Sequence, residues 1–324
     1  AVRAVNGNVL SKYKAADSIR YNVTPTVTYK NVTNGISVSW STAANATGYT
    51  VYRSEYNTKT KKWSSWKSRG TKKANVSNWT DKSVTSGVIY KFTVRAVNGS
   101  FKSKYNNNPK EILFLKTPTV KISNVATGVK VSWDKITGAK NYDVYRKIID
   151  DLGINSTKWV KITTVSASND YFVDENVKNG YEYVYAVKAT GKTAKSSYKS
   201  DYKSSSALIY LSAPKVSVSA EEDGVNVSWN INECAGKGYK VYRAVYNQET
   251  KKWSSWEVIN DIKSAEVCEY VDRSVEDGIT YRYTVKARSG KYVSSYKSSE
   301  NITASLKAEE PTIPEETVIN VVEQ

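Results

Sequence analysis

The sequence predicts an all-β chain, a tandem array of three seven-stranded sandwiches, each built from two packed sheets. Three observations carry that prediction. Landmarks recur in order about every 95 residues. Val-Ser-Trp ends at Trp40, Trp133 and Trp229, and Tyr-x-Val-Tyr-Arg runs Tyr49 to Arg53, Tyr142 to Arg146 and Tyr239 to Arg243. Gly-x-x-Tyr-x-(Phe/Tyr)-x-Val-x-Ala then runs Gly87 to Ala96, Gly180 to Ala189 and Gly278 to Ala287. Repetition at such a period marks copies of one folding unit. Within a copy the apolar period is two, as in Gly35-Ile36-Ser37-Val38-Ser39-Trp40, the alternation of an antiparallel strand with one wet face. Turn residues cluster between these runs, and no window carries a helical stripe.

The copies divide the chain in order. Val2-Arg3-Ala4-Val5-Asn6-Gly7 repeats Val94 to Gly99, and Ser11-Lys12-Tyr13 repeats Ser103-Lys104-Tyr105. Residues 1–24 are therefore expected to be the closing strands of a preceding copy. Module one spans 25–117, module two 118–213 and module three 214–307. Pro25, Pro118 and Pro214 each open a first strand, where a missing N–H is tolerated. Linkers of few residues imply a monomeric, semi-rigid rod of independently folding modules, with few residues crossing at Pro118 and Pro214. The tail, 308–324, is acidic, contains Pro311 and Pro314, lacks the landmarks and is expected to be a linker. No stretch reaches the roughly 18 apolar residues of a membrane-spanning helix.

Composition narrows function. The chain has no His and only two Cys among its 324 residues. That removes the commonest general base and leaves too few soft ligands for a zinc site. No phosphate loop or hydrolase elbow occurs, so neither an enzyme, a cofactor nor a metal is expected. The net charge of +17 is unevenly spread, with 16 basic against 3 acidic residues in module one and 14 against 13 in module three. A basic module one attracts polyanions by its field, or is simply a solvated lysine-rich surface. No sequence-specific nucleic-acid motif is present.

Trp40, Trp133 and Trp229 fall on the apolar parity of the second strand and are assigned to the core, with Tyr49 and Val51. Trp66, Trp159 and Trp256 recur in every copy and are read as covers leaning across the sheet. Trp63 and Trp253 occur only in two copies, inside Lys61-Lys62-Trp63-Ser64-Ser65-Trp66 and Lys251-Lys252-Trp253-Ser254-Ser255-Trp256. An aromatic that the fold does not require suits sugar stacking or an interface anchor. Trp63, Trp66, Trp253 and Trp256, with Lys62 and Lys252, are the ligand candidates; the plainer reading packs the extra Trp on its neighbouring strand. Tyr52 and Tyr242 are out of phase with the core and are expected to face solvent beside Arg95 and Lys286. They join the candidates. Asp81, Asp174 and Asp272 are the only recurring carboxylates and are read as turn caps. Cys234 and Cys268 are expected to approach; a disulfide there closes about 34 residues, worth about 3–4 kcal/mol in the chain-entropy account.

A Trp on the second strand, Tyr-x-Val on the third, and the pairs Val84/Tyr90, Val177/Tyr183 and Val275/Tyr281 resemble the fibronectin type III family. The aliphatic–Tyr pairs match the tyrosine corner of immunoglobulin-like sandwiches. The variant with Asp three residues before the Val resembles modules strung along large secreted proteins of Gram-positive bacteria. The Pro that precedes the corner Gly in that family is absent in all three copies. The resemblance implies an extracellular or cell-surface, non-catalytic segment. Its partner would be a host or matrix protein, or a polysaccharide if the array is appended to a glycan-degrading enzyme.

Overall fold

A computed structural model describes residues 1–16, 21–149 and 158–307 of the chain. The acidic tail and residues 150–157 of module two, part of the stretch compared with the Trp63 and Trp253 hairpins, lie outside the described residues. In module one the first, second and fifth strands, Val27–Val32, Gly35–Trp40 and Asn78–Asp81, form one antiparallel sheet. The third, fourth and sixth strands, Gly48–Asn57, Lys67–Lys73 and Ile89–Asn98, form the other. The seventh strand is broken into Phe101–Lys102 and Glu111–Leu113, both paired to the sixth. Modules two and three repeat this order, with second strands Gly128–Trp133 and Gly224–Trp229. The chain is thus all-β, a tandem array of immunoglobulin-like sandwiches.

The period-two pattern becomes burial. All three second strands alternate buried and half-buried residues in the same sequence, and each closes on its Trp. Each Trp packs on the Tyr that opens the third-strand landmark, with ring centroids 5.7, 5.3 and 5.4 Å apart. Those Tyr hydroxyls accept from the backbone N–H of Ala43, Ile136 and Asn232, so an apolar ring is buried with its polar tip satisfied. Tyr90, Tyr183 and Tyr281 accept from the N–H five residues upstream at 2.8–2.9 Å, which ties down the corner turn. Gly35, Gly128 and Gly224 open the second strands because a Cβ there would meet the carbonyl of Asp81, Asp174 or Asp272 at 2.1, 2.2 or 2.6 Å.

Those three aspartates do more than cap. Each accepts from the N–H two residues on, as a turn cap does. Each also accepts from the Arg that ends the third-strand landmark: Arg53 to Asp81 at 2.8 Å, Arg146 to Asp174 at 2.9 Å and Arg243 to Asp272 at 3.0 Å. In modules two and three the hydroxyls of Tyr185 and Tyr283 donate to the same carboxylate at 2.8 and 3.0 Å. Burial, reinforced by that carboxylate, pushes both phenols far above their ordinary range, so they stay donors. Module one has Phe92 at this position.

The breaks in the seventh strand have a serine at each. Ser103, Ser200 and Ser294 turn their hydroxyls inward and accept from the N–H of Ala96, Ala189 and Ala287 at 3.0, 2.9 and 3.0 Å, replacing a ladder carbonyl. Ser11 accepts from the N–H of Ala4 at 2.9 Å, so the opening residues fold as the same hairpin.

The junctions are built, not bare linkers, which corrects the expectation that few residues cross them. Leu113 and Leu115, at the end of module one, lie in the core of module two, and Ile89 packs against it. Tyr198 of module two packs on both cores and donates to the Glu111 carbonyl at 2.8 Å. Gly138 sits against Gly87 so closely that a Cβ on it would lie 2.4 Å from the Gly87 Cα. At both junctions one asparagine near the end of the first strand spans two modules. Asn31 donates to the carbonyls of Leu113 (2.9 Å) and Lys199 (3.0 Å). Asn124 donates to those of Ile209 and Val293, both at 3.1 Å. The second junction adds Asn179 to Asn232 at 2.8 Å. The core of module three draws only on residues from Val216 onward.

Candidate functional site

The outer face of the four-stranded sheet carries a repeated cluster of aromatic rings and cations. In module one Tyr105, in the gap of the seventh strand, meets Tyr52 edge-on at 5.2 Å and stacks on Trp66 at 6.1 Å. Arg95 of the sixth strand lies 4.6 Å over the Tyr105 ring. In module two Trp159 meets Tyr202 at 5.7 Å, and Lys188 lies between Tyr145 (5.8 Å) and Tyr202 (4.8 Å). In module three Trp256 meets Tyr296 at 5.7 Å, and Lys286 lies between Tyr242 (5.2 Å) and Tyr296 (4.9 Å). Each contact is a quadrupole attraction worth about 0.5–1 kcal/mol at an exposed site.

This cluster corrects the expectation that Tyr52 faces solvent. Tyr52 is only 9% exposed, because Tyr105, itself stacked on Trp66, closes over it. Tyr242 is half-buried, and burial pushes its hydroxyl upward, with Arg288 acting in the opposite sense. The rings that do reach water are Tyr105, Tyr202 and Tyr296, at 36%, 36% and 40% exposure. The repeated Ser-x-Tyr after the sixth strand, also present at Ser11 to Tyr13, could have pointed to them.

Trp63 and Trp253 extend the cluster in modules one and three. Trp63 pairs across the hairpin with Tyr56, ring centroids 5.2 Å apart, and lies 4.1 Å beneath the Lys91 ammonium. Lys91 pairs with Ser54 on the intervening strand, so the indole reaches across that strand over a small buried residue. Module three repeats this with Tyr246, the buried Ala244 and Arg282, whose guanidinium lies 4.4 Å from Trp253 and 4.9 Å from Trp256. Module two has Lys147 at the small position. The two Trp are therefore half-buried and carry a cation on the ring. Lys62 and Lys252 are exposed beside them, in register with Asn57 and Asn247. In module one a polar recess of about 400 Å³ opens beside Trp63, lined by Glu55, Tyr56, Asn57, Thr60, Lys62 and Ser64 among others.

Module two differs on the same face. Ala186 stands where modules one and three have Thr93 and Thr284, and a smaller recess of about 170 Å³ forms between Tyr145, Trp159, Lys188 and Tyr202. The buried Asp143 accepts from Lys199 at 2.8 Å and pairs with Lys161 at 2.9 Å. Burial opposes its ionisation, but the hydrogen bonds from Lys199, Lys161 and Thr164 prevail and hold its carboxyl below the ordinary range.

Cys234 and Cys268 are free thiols, which corrects the expected disulfide. The Cys234 sulfur lies against Gly180 of the preceding module, while Cys268 packs on the core of module three, so the two face different surroundings. Among the described residues no group of three or more Cys, Asp or Glu is placed to hold a metal ion. Among the same residues no helix is long and apolar enough to cross a membrane.

Residues 117–207 match a family described as the fibronectin type III domain, SaeA third domain. No curated protein matches the chain. Among solved structures, the chicken CNTN1 FN1–FN3 domains are 15% identical, covering 88% of this chain and 100% of that one, with a TM-score of 0.29. A two-domain fibronectin type III segment of chicken tenascin is 17% identical, covering 58% and 99%, with a TM-score of 0.30.

Proposed function

We propose that this tandem array of fibronectin type III-like modules is a non-catalytic stalk and adhesion segment of a bacterial surface or secreted protein. It sets distances along that protein and binds an extracellular protein through the aromatic–cation face. The observation that carries this reading is the repeated junction, in which one asparagine holds the end of its own module and the first piece of the broken seventh strand of the next. Two hydrogen bonds per side chain, with buried apolar contacts beside them at the first junction, restrain the angle between modules, and a spacer needs a restrained angle. Replacing Asn31 and Asn124 by Ala is expected to broaden the distribution of interparticle distances in small-angle scattering, with each module still folded. An unchanged scattering profile would remove the spacer reading.

A second reading, a carbohydrate-binding array beside a glycan-degrading enzyme, is supported by the recess at Trp63 and by its indole. Changing Trp63 and Trp253 to Ser is then expected to abolish binding on a glycan array while lowering the melting temperature by no more than about 5 °C. Undiminished glycan binding would exclude these hairpins. A larger loss of stability would mean that the two indoles are structural covers for Lys91 and Arg282.

A further inference from the structure

The fourth strand of module one differs from its counterparts in one respect that folding alone does not require. In module two Ile162 and Val165, and in module three Ile259 and Ile262, pack on their cores from this strand. Register places Lys72 opposite Tyr49, where Val165 and Ile262 lie opposite Tyr142 and Tyr239. Arg69 takes the place of Ile162 and Ile259 at the bulge that follows. Lys67, opposite the inward-pointing Arg53, extends the row. Three cations therefore occupy the side of the strand that faces the other sheet. The apolar burial that the sister modules enjoy is forgone, and a groove opens in its stead.

That groove, of about 490 Å³, is lined by Arg69, Trp79, Thr80, Asp81, Lys82 and Ser83. The Lys72 ammonium lies 4.8 Å over the Trp79 ring. The one carboxylate in the lining, Asp81, is already engaged by Arg53, by Ser83 and, at 3.7 Å, by Arg69. Arg69 also donates to the Ser83 hydroxyl. Lys67 and Lys82 are exposed and pair with no carboxylate among the described residues. Module two carries Glu175 where Lys82 stands, and in module three Arg273 at that position pairs with Asp223. From Lys67 to Lys72 the row runs roughly 16 Å at about 3.3 Å per strand residue. One small anion cannot span it, but successive charges on a chain can.

We infer that this groove binds the sulfate or phosphate groups of a linear acidic glycan, with Lys67, Arg69, Lys72 and Lys82 as the cationic row and the Trp79 indole as its apolar floor. Guanidinium and ammonium donors on one edge match oxyanions repeated along a polymer. The open groove admits a chain in passing, without a closed end. The site is separate from the aromatic–cation face, so its failure and the failure of that reading can be told apart.

The test is titration of the 324-residue chain with two probes at physiological salt, a sulfated octasaccharide and a glycan oligomer bearing phosphodiesters; whichever binds more tightly identifies the source of the oxyanion. Arg69→Ile combined with Lys72→Val installs the residues of module two and is expected to weaken binding at least tenfold. Lys82→Glu is expected to do the same, and provides a second reading should the double variant fold poorly. Lys30→Ser with Lys102→Ser removes the same charge elsewhere on module one and is expected to change affinity less than threefold. Equal losses in groove and control variants would reduce the effect to diffuse charge and overturn the site. So would the absence of binding to either probe. Tighter binding of a 20-nucleotide single-stranded DNA, lost in the groove variants, would replace the glycan with nucleic acid.

Discussion

Trp133→Ala is expected to bring down modules one and two together and leave module three standing. The indole is 6% exposed and packs on Tyr142, so truncation leaves a large cavity, at a cost of about 3–5 kcal/mol. Independent modules would confine that loss to module two. The first junction argues otherwise, because Leu113 and Leu115 close module one and are buried in the core that Trp133 supports. Tyr198 belongs to both sides. The core of module three shares no member with module two. Hydrogen exchange read peptide by peptide can separate the three. Protection should fall in 25–213 and persist in the strands from Val216 onward. Unchanged protection in module one would show that the shared leucines do not couple the two.

Asp272→Ala is expected to cost module three about 3–5 kcal/mol, the penalty of leaving a buried charge without its partner. The carboxylate is fully buried and is hydrogen-bonded by Arg243, Tyr283, the Ser274 N–H and the Ser274 hydroxyl. Its removal strands a largely buried guanidinium and a buried phenol at once. Asp81→Ala should cost less, since Phe92 presents no hydroxyl to lose. Urea unfolding of each variant, followed by the fluorescence of its own module, compares them. A loss below about 1 kcal/mol for Asp272→Ala would assign this pair the weight of an exposed salt bridge and refute the account.

The repeated landmarks made the sandwiches legible, because strand parity and a recurring Trp report burial directly. Tyr49, Tyr90 and their counterparts lie where parity puts them. Parity failed at Tyr52, where it marks the outer face correctly but cannot say what covers that face. The cover is Tyr105, some fifty residues away in sequence, and it comes from a segment with no regular pattern. The aspartates were legible as turn caps and illegible as ion-pair partners. Arg53 stood in plain sight at the end of a landmark, but the contact with Asp81 crosses from one sheet to the other, and spacing along the chain does not encode it. The cysteines failed for a related reason. Proximity of strands fixes backbone separation, whereas a disulfide also needs both Cβ vectors turned toward each other, and Cys234 turns to the neighbouring module.

The serine-broken seventh strand has a consequence for how such a chain survives its own repetition. Near-identical copies strung in series can exchange strands while folding, and an exposed sheet edge is where a stray strand joins. In each module that edge consists of pieces two or three residues long. Between them Ser103, Ser200 or Ser294 points its hydroxyl at the sixth strand, and the regular strand pairing lapses. A neighbour's strand, however similar, finds no continuous row of donors and acceptors to read. The interruption that looks like poor β-structure thus closes this edge of each copy to its neighbours.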